Sequence, residues 1–287
     1  MSDSSRRAFL RALAARAAER MPAPVELDAE PELETETVAS ALGDADVDRY
    51  ARQLVLPEWS EAAQIALRDA GVLVVGLGAL GSPVAAYLAG AGVGRLGILD
   101  DGIVELSNLH RQLLHYSPDV GVAKTWSASS KLGFLNPEVL VEPFQMRIDS
   151  ENAADVIAGQ DLVVDCSDTF ATRYAVNAAC CAAGVRLVEG GVVGFSGLVM
   201  SIHPGESACY RCAFPEPPAH AASCAEAGIL GPAAGVIGSL QALEALKLLG
   251  GVGEPLLGAF LQVDLASHEF VRVTVARRAD CPDCGAR

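Results

Sequence analysis

The chain lacks three things that would each have set its class. It has no uncharged apolar run reaching the roughly 18 residues that a membrane span needs, so no membrane partner is expected. It has no internal repeat. It also has no excess of positive charge. The formal net charge is −15 over 287 residues, so contacts to a phosphate backbone offer little and no nucleic acid is expected as a partner. Basic residues are missing altogether between Met21 and Asp48, where nine acidic residues fall, six of them alternating from Glu26 to Glu36. What is there is 51% apolar and 20% charged, the balance of a chain with a substantial buried core.

Residues 1–47 read as an appendage to one domain spanning 48–287. Ser5 to Arg11 has the look of a twin-arginine export signal, but Arg16, Glu19 and Arg20 interrupt the uncharged stretch that such a signal requires. Arg6 to Arg20 is therefore read as a basic helix and the protein as cytoplasmic. Residues 21–46 combine low hydrophobicity with like-charge repulsion, which favours disorder.

From Asp48 onward the pattern is α/β. Val72 to Val75 is a short continuous apolar run, as expected of a strand buried on both faces. A glycine loop and an alanine-rich helix follow, and Gly92 and Gly94 end that helix. Further strands are predicted at 95–99, 139–144, 162–165 and 186–188, with helices between them at 122–135, 151–158 and 171–183. After Gly190 the rhythm changes to antiparallel strands at 192–203, 259–265 and 270–275, flanking a helix over 235–249. The fold class that results is a Rossmann-like, doubly wound, mostly parallel sheet continuing into antiparallel strands.

Gly76, Gly78 and Gly81 stand between strand and helix. In that order glycines let backbone N–H groups approach phosphates at a helix N-terminus. Asp100 closes the next strand, placed to accept hydrogen bonds from a ribose. These features specify a nucleotide, and alone they favour NAD and a nicotinamide-linked oxidoreductase. Asn108, Arg111, Gln112 and Lys124 add polar groups and cations suited to a third phosphate and a departing pyrophosphate. Asp165 and Asp168 follow a strand, where carboxylates face the ligand crevice and can hold Mg²⁺; the plainer reading makes Asp168 a helix N-cap. Cys209 and Cys212 with Cys281 and Cys284 can supply four thiolates to one structural zinc that pins the C-terminus to the body. Cys180 and Cys181 read as small buried residues of a helix. Cys224 lies in a proline- and glycine-rich loop over 215–231.

These motifs keep one order along the chain. Arg49 to Gln53, the glycine loop, Asp100, Ser107 to Gln112, Lys124, Asp165 to Asp168, the two cysteine pairs and Gly235 to Glu244 together resemble the ThiF/MoeB/HesA family of E1-like adenylyltransferases. The resemblance implies ATP and Mg²⁺ as cofactors and a homodimer with a structural zinc. It implies transfer of AMP to the C-terminal glycine carboxylate of a ubiquitin-like sulfur carrier ending in Gly-Gly, of the ThiS or MoaD kind, in thiamine or molybdenum cofactor biosynthesis. Asp100 would hold the ribose, Arg111 and Lys124 the phosphates, and Asp168 the Mg²⁺. Arg52 would reach into the partner subunit's site, and Cys224 matches a position where some members accept sulfur or form a carrier adduct. A rhodanese or cysteine desulfurase would be a separate sulfur donor. No histidine is required, so His110 and His115 are read as incidental. Two departures stand out. Gly102 replaces a second acidic residue and Thr169 replaces the usual asparagine, which leaves open a non-catalytic member that binds carrier or nucleotide without turnover.

Overall fold

A computed structural model describes residues 41–217 and 228–285. The basic segment Arg6 to Arg20, most of the acidic run and Cys224 lie outside the described residues. The chain divides into two compact units, Met1–Ala66 and Leu67–Arg287.

The first unit holds short helices α1 (Asp44–Arg49) and α2 (Ala51–Leu54) and the start of α3 (Glu61–Asp69). Helix α1 begins inside the segment read as disordered, with the Asp46 carboxylate accepting from Gly43 N–H at 3.1 Å. Buried Gln64 ties this unit together, its Oε1 accepting from Gln53 Nε2 at 2.8 Å and Trp59 Nε1 at 3.0 Å.

The second unit is built on one eight-stranded sheet in the order β3-β2-β1-β4-β5-β6-β7-β8. The strands are β1 (Gly71–Val75), β2 (Arg95–Leu99), β3 (Leu140–Phe144), β4 (Leu162–Asp165), β5 (Arg186–Val193), β6 (Ser196–Ile202), β7 (Ala259–Asp264) and β8 (Glu269–Thr274). Helices α4 (Gly81–Ala91), α5 (Lys124–Leu135), α6 (Ala153–Ile157), α7 (Phe170–Ala183), α8 (Tyr210–Ala213) and α9 (Gly231–Gly250) connect or cover them. Strands β3 to β5 in this order run parallel, and β5 to β8 antiparallel. Because β2 and β3 extend the sheet one way from β1 and β4 the other, the crevice for a ligand opens between the ends of β1 and β4. Strand β1 is buried along its whole length, which is why it reads as an unbroken apolar run.

Several boundaries differ from the sequence reading by a few residues, and two of them have a clear local reason. The strand expected over 192–203 is a hairpin in which Val193 pairs with Ser196. Gly194 turns the chain with φ of 59°, a left-handed conformation that glycine adopts freely. Helix α9 starts four residues earlier than expected, with Pro232 in its first turn, where a missing N–H costs nothing. Helix α9 is long and apolar enough to cross a membrane by length and composition, yet it packs on β5, β6 and α4. Buried Glu244 on it accepts from Ser201 Oγ and Leu256 N–H, each at 2.6 Å. Gly190 and Gly197 make this seat. A Cβ on the first would overlap Gln241, and on the second Ile237.

Candidate nucleotide site

The glycine loop follows β1 directly. Gly76 has φ of 91°, and its N–H donates to Leu99 C=O at 2.7 Å. Gly81 opens α4 so close to the Gly76 carbonyl that a Cβ would overlap it. Between them, Leu77 is held at both backbone groups. Its N–H donates to Asp100 Oδ2 at 2.7 Å, and its C=O lies 3.1 Å from His115 Nε2. A carbonyl only accepts, so Nε2 carries the proton, and Nδ1 accepts from Ser127 Oγ at 2.8 Å. Lys131 Nζ donates to the same Ser127 Oγ at 2.9 Å and pairs with Asp119 at 2.6 Å. Burial holds His115 below its ordinary pKa, with Lys124 and Lys131 adding to the effect and the bond to Leu77 opposing it. The expectation that His115 is incidental is therefore corrected: it fixes the loop. The contact joins residues 38 apart, and no local pattern announces it. His110 stays exposed, beside Arg111.

Asp100 also accepts from Gly102 N–H at 2.8 Å, and Lys124 Nζ lies 3.8 Å from its Oδ1. A Cβ at Gly102 would come within 3.0 Å of that oxygen and 3.3 Å of Lys124 Nζ. Glycine here leaves the acid and the cation room and supplies an N–H of its own. Thr169, the other departure, caps α7 by accepting from Thr172 N–H at 3.2 Å. Asp168 is thereby released from the capping role. It is exposed and has no hydrogen-bond or charge partner among the described residues. Asp165, by contrast, points into the core and not into the crevice. It is fully buried, with Oδ1 accepting from Ser167 N–H at 2.8 Å.

Gly76, Gly78, Asp100, Arg111, Gln112, Lys124 and Asp168 all line the wall of a cavity of about 750 Å³. Arg111 is steadied by Ser107 C=O at 2.8 Å. Gln112 is buried, and its Oε1 has no hydrogen-bond partner among the described residues. Phe170, Tyr210, Phe214 and Phe260 add an apolar part to the same lining. Asn108 stands off this wall. It is buried, and its Oδ1 accepts from Glu105 N–H at 3.2 Å, which braces the turn carrying Arg111. Arg52 is exposed on α2 in the first unit.

The four cysteines gather elsewhere in the second unit. Cys209, Cys212, Cys281 and Cys284 are buried, with all four sulfurs within 4.8 Å of one another. Sulfur separations of 3.6 Å for Cys209 to Cys281 and 3.4 Å for Cys212 to Cys284 are near the ~3.8 Å edge of a tetrahedron with Zn–S bonds of ~2.3 Å. Asn177 and Asp283 escaped the sequence reading. Asn177 accepts from Tyr210 N–H at 2.9 Å and donates to Asp283 at 2.7 Å, which stitches α7 to the cysteine knuckle.

The fold and this wall define a nucleotide-binding α/β protein with a crevice at the sheet's switch point. The chain belongs to the ThiF family, whose model matches residues 50–284. It is 47% identical over 247 residues to the sulfur carrier protein adenylyltransferase of Thermus thermophilus, covering 84% of this chain and 91% of that one. It is 45% identical over 251 residues to the adenylyltransferase and sulfurtransferase MOCS3 of Sus scrofa, covering 86% of this chain but only 55% of that longer protein. Among solved structures, E. coli MccB with ATP superposes with a TM-score of 0.73 at 25% identity, over 83% of this chain and 73% of that one.

Proposed function

We propose that this protein uses ATP to adenylate the C-terminal glycine carboxylate of a small ubiquitin-like sulfur carrier ending in Gly-Gly. The observation that carries the reading is the cavity lined together by the glycine loop, Asp100, Arg111, Lys124 and Asp168. The names of the relatives point the same way, and a nicotinamide site has no use for so many fixed charges.

The chemistry asks little of the protein. A C-terminal carboxylate has a pKa of roughly 3.5 and is ionised at neutral pH. It attacks the α-phosphate without a general base, so catalysis reduces to positioning and charge neutralisation. The loop N–H groups beyond Leu77, from Gly78 to the start of α4 at Gly81, would cradle phosphate oxygens, since those of Gly76 and Leu77 are already bonded to Leu99 and Asp100. Arg111 grips phosphate with its planar fork, and Lys124 adds a point charge on the Asp100 side. Asp100 takes the ribose hydroxyls. Asp168 is the residue left free to hold Mg²⁺, which when bound neutralises phosphate charge. Gln112 Oε1 accepts from the nucleotide. Arg52 would serve the partner subunit's site in a homodimer. The four cysteines would hold a structural zinc, with no ligand position left for water. Cys224 would act after adenylation, when a rhodanese or cysteine desulfurase delivers sulfur.

Carrier-dependent exchange between ATP and pyrophosphate tests this. Exchange is expected with a ThiS- or MoaD-like carrier, and an AMP adduct should appear in the carrier's intact mass. Absence of exchange and adduct with every Gly-Gly carrier tried would overturn it.

A further inference from the structure

Three buried charged side chains beside the cavity have no part in the chemistry above. Asp165 and Glu189 are direct register partners in the parallel ladder of β4 and β5, and both are fully buried. Register partners project from the same face of a sheet. Two carboxylates so placed cannot both ionise without strong mutual repulsion. Asp165 Oδ2 and Glu189 Oε2 meet no donor among the described residues. One proton between them would supply it and remove the repulsion.

Arg173 on α7 stands against this pair. Its Nη1 donates to Glu189 Oε1 at 2.7 Å, and its Nη2 donates to Ser167 C=O at 2.7 Å. Ser167 is thus held at both backbone groups, by Asp165 at N–H and by Arg173 at C=O. The next residue is Asp168, exposed on the cavity wall. Other groups also face the cluster. Gln241 on α9 donates to Asp165 C=O at 2.7 Å. Tyr210 on α8 lies by Arg173, and Cys166 and Cys180 feel both acids. Burial pushes Asp165 and Glu189 above the ordinary carboxylate range, while Arg173 opposes the shift. Burial alone would lower Arg173, but Glu189 and Asp165 outweigh it and hold the guanidinium charged.

We propose that Arg173 and the one-proton pair Asp165–Glu189 position Asp168 for Mg²⁺, by fixing the Ser167 backbone at the cavity wall. Arg173 also lines the cavity, but in this scheme the three act through Ser167 and not on the metal or the nucleotide. The proposal rests on the reading of Asp168 as the Mg²⁺ ligand.

The test needs no carrier. ATP affinity is measured by calorimetry on the full chain, in EDTA and across Mg²⁺ concentrations, and the gain due to Mg²⁺ is the readout. Asp168→Asn checks the parent reading, and a full Mg²⁺ gain in that variant would sink it independently of the clamp. Arg173→Lys keeps the charge but cannot span Glu189 and Ser167 together. Its Mg²⁺ gain is expected to fall at least tenfold, with affinity in EDTA within twofold of the parent. An undiminished gain would overturn the proposal. So would loss of affinity in EDTA, which marks a general folding role. Glu189→Gln supplies the shared hydrogen permanently and should stay within threefold of the parent. Asp165→Asn with Glu189→Gln strips Arg173 of its counter-charge and should lose tenfold or more. Equal losses in the single and double variants would refute the one-proton count.

Discussion

At the carboxyl end of β1, Leu77 is gripped by Asp100 at its N–H and by His115 at its C=O. At the end of β4, Ser167 is gripped by Asp165 at its N–H and by Arg173 at its C=O. The two grips flank the switch point of the sheet, and both present a residue of the same cavity. Their chemistry differs. The first ends in a neutral imidazole whose hydrogen bonds lead through Ser127 to the Lys131–Asp119 pair. The second is a buried cluster of two acids and one guanidinium. The same geometric task is met once with a neutral donor and once with a charged one, and the charged solution leaves more to lose.

Removal of the zinc proposed for the four cysteines should separate the two grips most widely. Structural zinc sites bind with an apparent ~10–16 kcal/mol that is also folding energy. The cysteine knuckle is stitched through Asn177 to α7, the helix that carries Arg173. Chelation is expected to unfold the C-terminal half and release the Ser167 grip. Hydrogen exchange should show protection at Leu77 lost later than at Ser167, and equal early loss would contradict the asymmetry. Next in size is Arg173→Met, which abandons two buried acids and should cost about 3–5 kcal/mol in urea unfolding. His115→Ala removes a neutral hydrogen bond and should cost about 1–3 kcal/mol. The reverse order would break the comparison.

The pH response should have opposite signs. His115 has a folded pKa below its unfolded value near 6.5, so its contribution is present above about pH 6.5 and lost as pH falls through the folded value. Asp165 and Glu189 have folded pKa values above their unfolded values near 4, so their contribution is full below about pH 4 and lost as pH rises through the folded values. In stability curves against pH, His115→Gln should flatten the acid limb, and Glu189→Gln the limb above about pH 4. The smallest effect is Thr169→Ala, which deletes the α7 cap and should cost about 1 kcal/mol. Thr169→Asn should restore it, since asparagine caps as well; no recovery would show that the threonine does more than cap.

What was legible in the sequence follows from what is local. The glycine loop, Asp100, Lys124 and the buried strands are written in adjacent residues, and strands 95–99 and 162–165 match to the residue. The hairpin at Gly194 was obscured because apolar residues continue on both sides of it. The first grip was not legible, because it joins Leu77 to residues 23 and 38 positions further on; the second is local, with Ser167 bonded two and six residues away, and what was hidden is its burial against Glu189. One signal for the second was available. Asp165 ends one apolar strand and Glu189 interrupts another, and a buried acid in such a run calls for a partner. That the partner would be Arg173 depends on the β4–β5 register, which only the folded sheet supplies.

The seat of α9 carries a consequence for how this sequence can change. Gly190 and Gly197 are in contact with Gln241 and Ile237 at distances that admit no Cβ. Gln241 in turn bonds the Asp165 backbone. A methyl added at either glycine forces the facing side chain on the helix to move. At Gly190 the side chain that must give way is the one that braces the strand end beside the cavity. In the space of neighbouring sequences this corner changes most easily in pairs, a methyl gained on the strand against a side chain trimmed on the helix.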